Sequence, residues 1–62
     1  MTDYFGNELS EQDTVLYLSP IQRKMMTGTV SHFTPLKVAV LEDNNEITYR
    51  YPYHVVVVDD LL

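Results

Sequence analysis

The sequence predicts an all-β domain: a small five-stranded SH3-like barrel or, from the same signals, a partly open OB-like sheet. Three observations predict it. Apolar, β-branched and aromatic residues fall in five short runs, each bounded by Pro, Gly, Asn or Asp. A long first loop contrasts with tight later turns. A proline marks the turn before the last run.

The organising stretch is residues 27–51, read as three consecutive strands, Thr27 to Phe33, Leu36 to Leu41 and Ile47 to Tyr51. Thr34-Pro35 breaks the first pair and Asp43-Asn44-Asn45 the second. Gly28, inside a strand pattern, predicts a bulge or sharp bend. A two-residue turn at Asn44-Asn45 sets Val40 opposite Tyr49 and Val38 opposite Tyr51; a three-residue loop sets Val40 opposite Thr48 and mixes the faces. The first register is preferred, which makes Val30, Val38, Val40, Tyr49 and Tyr51 the predicted inner face. It also sets Lys37 and Arg50 together on the outward face.

The flanking segments cover that face. Residues 1–13 form an arm in which Gly6-Asn7 is a turn pair, with Tyr4-Phe5 and Leu9 making a short hairpin or pinning the arm to the barrel. Ser10-Glu11-Gln12-Asp13 is a solvated link. Thr14 to Leu18 is a strand ended by Ser19-Pro20, and Pro20 to Met26 a long connection whose Met25-Met26 tucks back onto the core. Pro52 cannot donate to a ladder, so the third meander strand ends there, and Tyr53-His54 forms a turn, in one version a 3₁₀ turn. Val55 to Val58 closes the sheet against the first strand. Asp59-Asp60 stops it, and Leu61-Leu62 is frayed or packed on a neighbour. The whole is one domain: arm 1–13, barrel 14–58, tail 59–62.

Composition bounds the chemistry. Sixty-two residues lie near the lower limit for folding without disulfides or metal, and there is no cysteine. No apolar run approaches the roughly 20 residues that span a bilayer. Residues 1–12 do not read as a secretory signal. The expected setting is the cytoplasm of a bacterium or of the cell infected by something that infects one. The formal charge of −5 disfavours nonspecific binding to a phosphate backbone and suits a basic partner surface.

No catalytic constellation is legible. His32 and His54 lack ligand spacing, Ser19 and Ser31 lack a nucleophile setting, and Gly6 and Gly28 are isolated, so neither enzyme, metal nor cofactor is expected. His32 falls on the inner-face phase. The aromatic series Tyr49, Tyr51, Tyr53 is more informative: the first two read as core, whereas Tyr53, past Pro52, is a candidate contact with His54, Phe33 and Arg50. Glu42, Asp43 and Glu46 form an acidic hairpin tip, the second candidate contact surface.

Asp13-Thr14-Val15-Leu16-Tyr17, Gly28-Thr29-Val30, Thr34-Pro35-Leu36-Lys37-Val38 and Thr48-Tyr49-Arg50-Tyr51-Pro52 together resemble short tailed-bacteriophage proteins that look like KOW or Tudor-type SH3-like barrels. The resemblance implies a phage accessory protein that binds and modulates a host bacterial protein. The alternatives are a KOW-like nucleic-acid module and a self-assembling component in which Val55 to Val58 adds a strand to a second copy. The expected state is a monomer or weak homodimer, with no membrane partner.

Overall fold

The computed structural model describes residues 1–58; the expectations for Asp59-Asp60 and Leu61-Leu62 lie outside the described residues. Five strands follow in order: β1 Thr14–Leu18, β2 Met25–Phe33, β3 Val38–Leu41, β4 Ile47–Arg50 and β5 Val55–Val57, with a 3₁₀ turn Pro52–His54 before the last. They make one antiparallel sheet in the order β4-β3-β2-β1-β5. The all-β expectation holds, and of its two forms the sheet takes the open one: β4 and β5 are its edges, with no ladder between them among the described residues. Among the described residues there is no helix long and apolar enough to cross a membrane.

Alternation along the strands puts Val15 and Tyr17, Val30, Val38 and Val40, and Val55 on one face, where all are fully buried together with Leu9 from the arm. Met26 and Val57 pack against this cluster. So small a core is sensitive to single methyl groups. The connection from β1 to β2 is tighter than its composition suggests. Ser19 N–H donates to Lys24 O, Arg23 N–H returns to Ser19 O, and Arg23 takes a left-handed φ of 56°, leaving a four-residue loop at 20–23.

Two local features decide the rest. The β3–β4 loop is the three-residue one. Asn45 N–H donates to Glu42 O, Glu42 N–H donates to Glu46 O, and Asn45 sits at φ 65° in the left-handed region that asparagine tolerates. Val40 therefore faces Thr48, Val38 faces Arg50, and Ala39 faces Tyr49. The expected inner-face positions of Tyr49 and Tyr51 are corrected: Thr48 is buried instead, and the two tyrosines are 49% and 39% exposed. By the same shift Arg50 turns to the inner side while Lys37 stays outward. The register tolerates a polar residue inside because threonine combines a methyl with a small hydroxyl.

The second feature is a bulge in β2. Val30 pairs with Val40 but His32 pairs with Ala39, so Ser31 is the extra residue and His32 moves to the outer face. There its ring meets Tyr49 edge-on at 6.1 Å, both leaning over the buried Ala39 between them. The bulge is thus at Ser31 and not at Gly28. Gly28 answers to crowding instead: a Cβ there would lie 2.5 Å from Val40 Cγ1, 2.9 Å from Leu41 O and 3.1 Å from the Tyr17 ring.

The arm is an ordered piece of the sheet's border. Asp3 N–H donates to Asn7 O across the Gly6 turn, and Thr2 bridges Glu8. The Asp3 carboxylate, 4% exposed, accepts from the backbone N–H of Phe5, Asn7 and Val57 at 2.8–2.9 Å and from the Asn7 amide at 3.5 Å. Burial pushes this carboxyl upward, but the Val57, Asn7 and Phe5 donors together outweigh it and hold the group below its ordinary 3.8.

Candidate interaction surface

Pro52 fixes the feature that stands out on the surface. Its locked φ opens the 3₁₀ turn, and His54 N–H donates to Tyr51 O at 2.9 Å while Val55 N–H donates to Pro52 O. The turn sets side by side two tyrosines that an extended strand would keep further apart. The Tyr51 and Tyr53 rings stack at 5.4 Å and 8°. His54 closes on them edge-on, 4.7 Å from Tyr53 and 6.0 Å from Tyr51. From the β2–β3 turn, where Thr34 N–H donates to Lys37 O, Lys37 sets its ammonium 4.9 Å above the Tyr51 ring.

The group is held together yet stays in contact with water: Tyr53 is 55% exposed, and His54 is exposed beside it. It offers flat apolar rings, two phenol hydroxyls, an imidazole and one cation. No enclosed cavity lies beside it among the described residues. Nor do three His, Asp or Glu side chains converge there, or elsewhere among the described residues, in a metal-holding group.

The other sequence candidates divide. Phe33 and Arg50 lie in one row with the buried Val38 between them, on the opposite face from Lys37 and Tyr51 by strand alternation. Glu42 is not part of an exposed tip. It is 5% exposed, and the Tyr17 hydroxyl donates to its Oε2 at 2.5 Å. Burial, the hydrogen bond and the nearby carboxylates of Glu42 and Asp43 raise the Tyr17 phenol well above its ordinary range. Asp43 and Glu46 do remain exposed at the turn. Four strand steps separate Glu46 from Arg50, about 13 Å, so the acidic and aromatic groups occupy opposite ends of β4. Sequence reasoning missed Tyr51 and Lys37 as surface partners of Tyr53; the alternating tyrosines carried the signal, and the register error hid it.

Residues 1–58 match a family described as Domain of unknown function (DUF7205). The chain belongs to that family. The match spans the arm, every strand of the sheet and the aromatic turn. No curated protein and no solved structure matches the chain.

Proposed function

We propose that this DUF7205 chain is a non-catalytic protein-interaction module whose contact surface is the Tyr51-Tyr53-His54-Lys37 group. The observation that carries the reading is the exposed, stacked Tyr51–Tyr53 pair, buttressed by Lys37 and His54. Rings already ordered in the free protein lose little side-chain freedom on binding, and tyrosine contributes heavily at protein interfaces for that reason. Following the phage resemblance, the partner is a host bacterial protein in the cytoplasm, bound and modulated during infection. Asp43 and Glu46, with the net charge of −5, steer the module toward a basic surface on it.

The competing reading is a KOW-like module that stacks single-stranded bases on the same rings. Lys37 over Tyr51 favours it, but one cation at the patch and an acidic chain do not. Capture from bacterial lysate separates the two. Tagged protein, with and without nuclease, is compared with a Tyr51→Ser/Tyr53→Ser variant. A protein retained after nuclease and lost at least about thirtyfold in the variant supports the proposal. Recovery that vanishes with nuclease, or a retained protein indifferent to the variant, overturns it.

A further inference from the structure

The two edges of the sheet are finished differently. Along β5, Tyr4 N–H donates to Val55 O at 2.9 Å and the Asp3 carboxylate takes Val57 N–H, so the arm occupies the side on which the sequence expected a second copy. Along β4 nothing among the described residues does this. Glu42 and Glu46 form a hydrogen-bonded pair at the turn. Counting along the antiparallel ladder, Thr48 and Arg50 direct their N–H and C=O groups to β3, and Ile47 and Tyr49 direct theirs outward. An edge strand is normally guarded by inward charges, proline or a bulge. Here the central residues Ile47, Thr48 and Tyr49 carry none of these, and charges stand only at the two ends, Glu46 and Arg50.

Those two charges have no ionic partner within the described residues, where the one ion pair joins the N-terminus to Glu8. Arg50 Nε is the single buried side-chain polar atom without a hydrogen-bond partner there. Read antiparallel to itself about Thr48, Glu46-Ile47-Thr48-Tyr49-Arg50 is self-complementary: Glu46 meets Arg50 at both ends.

We propose that β4 pairs antiparallel with β4 of a second copy, on a two-fold axis at Thr48. Ile47 and the second copy's Tyr49 then exchange both N–H···O bonds, and the symmetric pair does the same. Glu46 stands opposite the second copy's Arg50 at non-hydrogen-bonded positions, where side chains approach most closely. A slip of two residues loses both ion pairs, opposing Glu46 to Pro52 in one direction and to Thr48 in the other. A slip of four opposes Glu46 to Glu46 or Arg50 to Arg50. Charge therefore selects a single register. Tyr51, Tyr53 and His54 lie just beyond the paired residues 46–50, so the association does not use the rings of the proposed partner contact, and Glu46 is the residue the two share.

The test is sedimentation equilibrium of the full chain from about 10 μM to 1 mM, a range suited to a short edge-to-edge contact. The mass should rise from one chain to two across it. Glu46→Arg and Arg50→Glu each set like charges opposite one another and should weaken the dimer about tenfold, while E46R/R50E restores the pairs and should return it to within about threefold. A wild type that stays at one-chain mass, single variants that dimerise as well as the wild type, or a double variant no tighter than the singles overturns the proposal. Circular dichroism checks folding; should Arg50→Glu or the double variant fail to fold, Glu46→Arg alone, at an exposed turn, decides by weakening the dimer or leaving it unchanged.

Discussion

A tyrosine at the centre of a valine core is an unusual choice, and Tyr17 shows what permits it. Its ring packs over Gly28, where a side chain of any size would collide, and its hydroxyl emerges against the buried Glu42. The two requirements are linked: Gly28 makes room for the ring, and Glu42 satisfies the hydroxyl. Tyr17→Phe leaves Glu42 buried without its donor and should cost about 1–3 kcal/mol, read as a lowered urea midpoint at unchanged slope. An unshifted midpoint would show that the hydrogen bond contributes nothing net. Gly28→Ala forces a methyl against Val40 and the Leu41 carbonyl, and overpacking of this kind should cost roughly 1–3 kcal/mol in the same assay. Neither link was legible in the sequence: Gly28 signalled a bulge or sharp bend and not the close approach it makes, and nothing local says that residues 17 and 42 meet.

Among the elements, the β3–β4 hairpin determines what the surface offers. One residue in the left-handed region, Asn45, selects a three-residue loop, and the loop selects which alternate residues face out. Asn45→Val introduces a β-branched residue there and should cost about 1–2 kcal/mol, whereas Asn45→Gly should leave thermal stability equal or slightly raised. A valine variant as stable as the wild type would contradict the assigned turn. The strand positions were readable from β-branched runs and their Pro, Gly and Asn boundaries, and five strands stand about where those signals set them. The register was not. Tyr49 and Tyr51 are apolar enough to pass for core, Thr48 polar enough to pass for surface, and the Asp43-Asn44-Asn45 sequence suits either loop length. The extra residue at Ser31 escaped for a similar reason, since a bulge without glycine leaves little compositional trace.

At the scale of the molecule, two groups whose ionisation differs from that of the unfolded chain join distant segments, Asp3 the arm to β5 and Tyr17 β1 to the β3–β4 turn. The Asp3 carboxyl is depressed below 3.8, so its stabilisation is complete above that value and is lost as pH falls through its folded pKa. The Tyr17 phenol is raised above 10.0, so the unfolded chain releases its proton first and stability declines as pH rises past that value. Thermal midpoints should therefore change little on account of these two groups between about pH 5 and 9 and fall on either side. Asp3→Asn should flatten the acid limb selectively; an acid limb unchanged in that variant would assign it to other carboxylates. The same arm that Asp3 anchors covers the β5 edge, whereas among the described residues no segment pairs with the outer side of β4.

Both proposed contacts depend on the register of β4, which turns Tyr49 and, just past the strand, Tyr51 outward, and backbone Hα–Hα nuclear Overhauser effects in the folded chain test that directly. Non-hydrogen-bonded antiparallel pairs bring their α-protons closest together. Cross-peaks joining Ala39 to Tyr49 and Leu41 to Ile47 are predicted. Cross-peaks joining Val40 to Tyr49 and Glu42 to Ile47 instead would restore the two-residue turn, bury the tyrosines and remove the surface on which the functional reading stands.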